Sequence, residues 1–296
     1  MSAISLNQLT KHYGARRGVA DVTFEVAAGS LFGLIGPNGA GKSTTIRTLL
    51  GLLRPTRGSA RLLGEDVTTH GPRCRARVGY VPGENQFDPS LTVAEVLAFR
   101  AAFHRGDHRA RQAELLDTFE LERSARAEEL SLGNKKKLAL VAALQHRPEV
   151  LVLDEPTNGL DPVMQARLFD VLEAEAKRGV AVLFSSHVLS EVQRVCRTVA
   201  VLTDGRVAAI EDIETLRRRQ LRRVHVQGAV AGLEQVAGVR DWQPTARGAV
   251  FLFAGEPPPL LAALAARALS DVRIEEPSLE EIVLQHYLKV PEAAHG

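Results

Sequence analysis

At 296 residues and 45% hydrophobic content, the chain is long enough to bury one large α/β core and still build a smaller second domain. Its 37 Lys and Arg against 35 Asp and Glu give a formal charge of +2, which excludes the basic excess of a protein that coats nucleic acid, so no nucleic-acid partner is expected. Cys74 and Cys196 have neither a CxxC pairing nor a neighbouring histidine at ligand spacing, which argues against a metal or redox centre built on them and fits a reducing cytoplasm.

In chain order, Ile4 to Leu9 and Val22 to Val26 alternate apolar and polar residues, the pattern of edge strands with one wet face, and predict a small antiparallel layer. Leu31 to Ile35, Val150 to Leu153 and Val180 to Phe184 are short, continuous and rich in β-branched residues, as parallel strands buried on both faces are. Between them Val93 to Phe103 and Arg109 to Leu121 carry apolar residues at helical spacing and predict a helical insert at about 90–148. After about Arg217 the character changes. Strands are expected at Val224 and Val226, Val250 to Phe253 and Val272 to Ile274, with a helix from Pro258 to Leu269 and a last helix opened by the capping box of Ser278 and Glu281, with the stripe Leu279, Ile282, Val283 and Tyr287. Two domains follow, 1–216 and 217–296. Every apolar run falls well short of the roughly 18 residues that span a bilayer, and Met1 to Gly14 has no apolar signal core, so the chain is not expected to cross a membrane by itself.

The chemistry is concentrated in two places. Gly36-Pro37-Asn38-Gly39-Ala40-Gly41-Lys42-Ser43, continued by Thr44, follows a buried strand and opens a helix, the context of a phosphate-binding P-loop. There the glycines let backbone N–H groups close on phosphate oxygens, Lys42 neutralises the β- and γ-phosphates, and the Ser43 hydroxyl can coordinate Mg²⁺. Leu151-Val152-Leu153-Asp154-Glu155 is an apolar strand ending in two carboxylates, which places them at its C-terminal tip. Asp154 is positioned to hold Mg²⁺ or its water shell, and Glu155 to orient and deprotonate the water that attacks the γ-phosphate. Ser131 stands where a helix begins, so its hydroxyl and the N–H groups behind it form an anion site; a plain helix cap is the competing reading.

With these motifs in order, the chain resembles an ABC ATPase, a P-loop NTPase, from about Ile4 to Leu216. Leu130-Ser131-Leu132-Gly133-Asn134 is similar to the family's signature sequence, Asn158 to Asp161 to its D-loop, Ser185-Ser186-His187 to its switch histidine, and Tyr13 to the aromatic residue that stacks on adenine. The resemblance implies an α/β core with an antiparallel β layer, a helical insert and a small C-terminal α/β domain. It also implies ATP and Mg²⁺ as ligands, a second copy of the ATPase whose signature, with Ser131 and Gly133, completes the first copy's site, and Asp161 as a further nucleotide-binding residue. A polytopic membrane permease is implied as partner, with this chain peripheral at the cytoplasmic face of the membrane through it. His187 would sense and position the γ-phosphate.

The chain departs from the pattern after Gly79-Tyr80-Val81-Pro82: where the family carries a glutamine that touches Mg²⁺, this sequence has Gly83, and Glu84 or Gln86 are the candidates to replace it. Leu132 and Asn134 likewise replace the usual Gly and Gln. Both changes, with the C-terminal segment Glu276 to Ile282, resemble a drug- and antibiotic-exporting (ABC-2 type) subgroup and favour export. The C-terminal domain is open to a regulatory, dimer-stabilising or structural role. The basic cluster Arg217, Arg218, Arg219, Arg222 and Arg223 reads as a solvated helix or linker, with anionic lipid or nucleic acid as the other readings. A soluble mechanical ABC ATPase acting on ribosomes or DNA is the alternative to a transporter, against which stand one P-loop and no heptad run; a P-loop GTPase or kinase is excluded by the signature and D-loop.

Overall fold

The structure, a computed structural model, describes residues 2–14, 16–213 and 221–275. The chain divides into two units, Met1–Ile210 and Glu211–Gly296.

In the first unit two sheets share a core. β1 (Ser2–Tyr13) pairs antiparallel with β2 (Arg16–Ala27) and with a strand at Arg57–Leu62 (β4), and Glu65–Asp66 (β5) completes the order β2-β1-β4-β5. The alternation in β1 buries Ile4, Leu6 and Leu9. The strand is nevertheless interior to its sheet and not an edge as its alternation suggested, because one wet face leaves both hydrogen-bonding sides free to pair.

The second sheet is built from β3 (Leu31–Ile35), β6 (Val78–Val81), β7 (Val150–Asp154), β8 (Ala181–Ser186), β9 (Thr198–Thr203) and β10 (Arg206–Asp212), in the order β10-β9-β3-β8-β7-β6. The pairs β9-β3, β3-β8, β8-β7 and β7-β6 are parallel. Every residue of β7 and β8 is buried, which is why their sequences run apolar without alternation. Register decides what meets at the C-terminal edge. Ile35 lies opposite Ser186, Asp154 opposite Ser185 and Val81 opposite Leu153, so the segments that follow β3, β8, β7 and β6 leave the sheet side by side.

Helices α1 (Lys42–Leu49), α2 (Gly71–Arg75), α3 (Val93–Ala101), α4 (Arg109–Thr118), α5 (Leu132–Leu144), α6 (Pro162–Lys177) and α7 (Leu189–Val195) connect these strands. A capping box starts α3: the Glu95 N–H donates to Thr92 Oγ1 at 3.2 Å and the Thr92 N–H to Glu95 Oε2 at 2.8 Å. Between α4 and α6 the buried Glu175 carboxylate is held by Arg111 and Arg178, so its charge is compensated where it would otherwise be costly.

The second unit is an antiparallel sheet of β11 (Leu221–Gly228), β12 (Val239–Thr245), β13 (Gly248–Ala254) and β14 (Leu269–Glu275), ordered β12-β13-β11-β14, with α8 (Pro257–Ala265). Val224, Val226, Phe251, Phe253, Leu260 and Leu264 form its core. The helix expected to reach Leu269 ends at Ala265, because Leu269 is taken by β14, where it opposes Gly228. Arg222 and Arg223 are half-buried residues of β11, not of a helix or linker; pairing with β13 and β14 overrides their charge. Arg217 to Arg219 and the stripe from Ser278 to Tyr287 lie outside the described residues.

Candidate nucleotide site

The loop between β3 and α1 is shaped by close backbone approaches. A Cβ at Gly36 would stand 2.2 Å from the Leu202 carbonyl of β9, and Gly41 has φ +105 with Val19 2.5 Å from where a Cβ would be; only glycine fits either place. The turn aims the start of α1 and its free N–H groups into a cavity of about 650 Å³, in the range of small-molecule sites. Tyr13, Gly18, Asn38, Gly39, Gly41, Lys42, Ser43, Thr44, Arg47 and Glu155 line it. Gly36, Pro37 and Ala40 form the loop behind this lining.

Lys42 is 5% exposed, and its ammonium donates to the Gly36 carbonyl at 2.7 Å and the Pro37 carbonyl at 3.2 Å. Glu155 Oε1 stands 3.4 Å from the same nitrogen and 3.4 Å from His187 Nδ1, so one carboxylate faces two basic groups from two strand ends. Asn158 Nδ2 donates to Glu155 Oε2 at 2.7 Å. Burial pushes the Glu155 carboxyl up, but the Asn158 amide, then Lys42 and His187, outweigh it and hold it below the usual carboxylate range. The residue has φ +48, a left-handed conformation uncommon outside glycine, and its N–H donates to Ser185 Oγ at 3.1 Å, which anchors the kink at the strand end.

Asp154 is 2% exposed, and its Oδ1 accepts from Ser185 Oγ at 2.7 Å. The Ser43 hydroxyl has no hydrogen-bond partner among the described residues. A buried carboxylate oxygen and a free hydroxyl are the hard oxygen donors Mg²⁺ prefers, and such ions take their remaining ligands from water and phosphate. These residues therefore fit a divalent cation delivered with a nucleotide. Tyr13 lines the cavity and is 45% exposed, with its ring against Gly18, the Lys11 ammonium 5.5 Å from the ring centroid and its hydroxyl 3.5 Å from Thr44 Oγ1.

The remaining residues singled out from the sequence lie elsewhere. Ser131 is the N-cap of α5, its Oγ accepting from the Asn134 N–H at 3.2 Å, and it is exposed. Asp161 caps α6, accepting from the Val163 and Met164 N–H groups at 2.9 and 3.0 Å, and the Met164 amide first of all keeps its carboxyl below the ordinary range. A Cβ at Gly133 would stand 2.5 Å from the Gly159 carbonyl, so the start of α5 is seated on the Asn158 to Asp161 loop. None of Ser131, Gly133 and Asp161 lines the cavity that holds Lys42.

Of the candidates to replace a glutamine at position 83, Gln86 lines a different cavity of about 340 Å³ with Arg75, Tyr80, Arg100, His104 and His146, and Glu84 is exposed and lines neither. A Cβ on Gly83 would stand 3.7 Å from Asp154 Oδ2. Sequence reading missed Lys136 altogether. It is 1% exposed, and its ammonium donates to the carbonyls of Gly83 at 2.9 Å and Pro82 at 3.2 Å. A signal existed: Leu140, Ala143 and Leu144 follow it at helical spacing and are buried, so position 136 belongs to the inner face of α5.

A glycine-rich loop between β3 and α1, two carboxylates at the tip of β7, which β8 separates from β3, and a separate capped helix are the features of a P-loop ATPase. The ABC transporter family matches residues 19–158. A Nod factor export ATP-binding protein I of Paraburkholderia xenovorans is 41% identical over 213 residues, 70% of each chain. Another of that description, from Burkholderia thailandensis, is 34% identical over 294 residues, covering 96% of this chain and 97% of its own. A solved structure described as the ATP binding subunit of an ABC transporter superposes with a TM-score of 0.70 at 32% identity, covering 73% of this chain and 92% of that one. The chain belongs to the ATP-binding proteins of ABC transporters, and it is an ATPase.

Proposed function

We propose that the chain is the engine of an exporter: two copies close on two Mg-ATP at the cytoplasmic face of the membrane and drive a separate polytopic permease. An ATPase domain of about 1–216, with about 90–148 as its helical insert, does this work, and the remainder, about 217–296, is accessory.

In this reading Tyr13 stacks on adenine, and the loop from Gly36 to Thr44 wraps the phosphates with Lys42 on the β- and γ-oxygens. Asp154 and Ser43 hold Mg²⁺, which when bound spreads the negative charge of the transferring phosphoryl group. Glu155, kept ionised by Asn158, Lys42 and His187, accepts a proton from water as the water oxygen bonds to the γ-phosphorus and the bond to the ADP oxygen breaks. His187 positions the γ-phosphate. Ser131, Gly133 and Asp161 serve the site of the other copy.

The observation that carries the dimer is the one-sidedness of the site. The Lys42 cavity is lined without Ser131, while Ser131 caps an exposed helix start beside Leu132, which is 68% exposed. A helix N-terminus favours an anion, and the phosphate of a facing copy supplies one. Export is supported by a Nod factor export protein that matches over nearly the whole chain, and by the departures at Gly83, Leu132 and Asn134. Phe99 on α3 and Phe103 just after it are exposed and offer a cytoplasmic helix of the permease an apolar foothold.

Affinity purification of the full chain from its native membrane tests this. A polytopic membrane protein that co-purifies and alters the ATPase rate is the expected outcome; association with ribosomes or DNA and with no membrane protein contradicts it.

A further inference from the structure

Lys136 is a buried charged side chain behind the site that the mechanism above does not use. An ammonium 1% exposed is held in place only where acceptors and charge compensate its lost hydration. Both are present. Two N–H bonds go to the carbonyls of Gly83 and Pro82. Burial lowers the affinity of Lys136 for its proton, and the carboxylates of Asp154 and Glu155 act in the opposite direction.

Two elements meet at this nitrogen, and the charge of a third acts on it without contact. Helix α5 carries Lys136 and, at its N-cap, Ser131. The loop after β6 supplies the two carbonyls, and β7 ends in the carboxylates. Gly83 contributes no side chain of its own, and a Cβ there would stand at ordinary van der Waals distance from Asp154. Where no side chain at position 83 can fix that loop over the carboxylates, the ammonium of Lys136 does so from behind, through the backbone.

We propose that Lys136 is a positioning residue for ATP hydrolysis: its buried ammonium ties the Pro82-Gly83 segment to α5 and thereby sets the distance between the loop, the Asp154-Glu155 pair and Ser131 of the same chain. This rests on the reading of Asp154 and Glu155 as the hydrolytic carboxylates. Because Lys136 is absent from the cavity lining, it governs turnover and not nucleotide capture. A loop free to drift by an ångström misplaces the reacting groups, at a cost on the order of 100-fold in rate.

The full-length chain and its Lys136→Met and Lys136→Arg variants test the assignment. Met keeps the length of the side chain and removes the charge and the donors; Arg keeps both. Three quantities are measured: kcat and KM for Mg-ATP, the dissociation constant of ATP without metal, and hydrogen exchange of the amides at 83–87 without nucleotide. For Lys136→Met a fall in kcat of about 100-fold is expected, with ATP affinity within about twofold of the parent and exchange at 83–87 about tenfold faster. Lys136→Arg should recover much of the rate and the protection. Unchanged kcat in Lys136→Met overturns the proposal, as does a loss of kcat matched by an equal loss of ATP affinity and general protection, which marks a merely structural lysine. If Lys136→Met does not fold, Lys136→Gln, which can still donate to one carbonyl, is held to the same criteria. Glu155→Gln is run in parallel: if it hydrolyses ATP normally, the underlying reading of the carboxylates has failed, whatever Lys136 does.

Discussion

The start of α1 and the start of α5 are both helix N-termini that face outward, yet they are finished differently. At α1 the chain provides a wrapped loop, a buried lysine already neutralised by Glu155, and a cavity of nucleotide size. At α5 it provides a serine cap, an exposed leucine and no cavity shared with Lys42. The first is complete in one chain. The second, on the reading proposed above, is half of a site. That reading makes nucleotide capture and nucleotide closure separate properties, carried by separate helix starts of the first unit.

Substitutions at the two ends should therefore behave differently. The largest effect falls at the α1 end: Glu155→Gln should lower turnover about 10²- to 10⁴-fold while ATP binding survives, and a steady-state rate equal to the parent's breaks the assignment. Tyr13→Ala should weaken ATP binding by about 1 to 3 kcal/mol, the worth of one stacked base. Calorimetry that finds an unchanged dissociation constant removes the stacking role. Ser131→Ala should leave ATP capture by the single chain intact and cost only about 1 kcal/mol of stability as a lost helix cap, while closure between copies is lost. If instead ATP capture falls with it, the division between the two ends is wrong.

Acid sharpens a different contrast, between the ionised Glu155 and a histidine kept neutral. His146 stacks on His104 at 3.6 Å, and burial, then His104 and His108, push its pKa down to about 4. Such a group is neutral when folded and protonated when unfolded between the ordinary value of 6.5 and 4. Its stabilising contribution is therefore full above pH 6.5 and drains away as pH falls to about 4, by up to about 3 kcal/mol. His146→Phe should flatten the acid limb of stability in that window, and denaturant melts with an unchanged slope from pH 6.5 to 4 contradict this. Glu155 has the same sign with a lower window: its contribution is present above the ordinary carboxylate value and is lost only as pH drops through its depressed one.

How much of this was legible follows from how local each signal is. The P-loop and the Asp154-Glu155 tip are contiguous in sequence and stand where expected, because a buried strand delivers its next residues to the sheet edge. Strand register, which brings Ser185 to Asp154 and Gly83 beside it, is a tertiary property and was not legible. Lys136 hides in the run Lys135 to Lys137, which reads as solvated until the helix turns one of the three inward. The Thr92-Glu95 capping box was a local signal left unread, whereas β12 was obscured by Arg240, Asp241 and Pro244 within its span. Arg222 and Arg223 misled for the opposite reason: their charge suggested solvent, and strand pairing decided otherwise.

The sharpest test of two half-sites meeting over one γ-phosphate is the mass in solution of Glu155→Gln with saturating Mg-ATP, set against Glu155→Gln carrying Ser131→Ala. Twice the mass of the nucleotide-free chain for the first, and a single chain for the second, is the expected result. A Glu155→Gln protein that remains a single chain, even when bound to its permease, contradicts it.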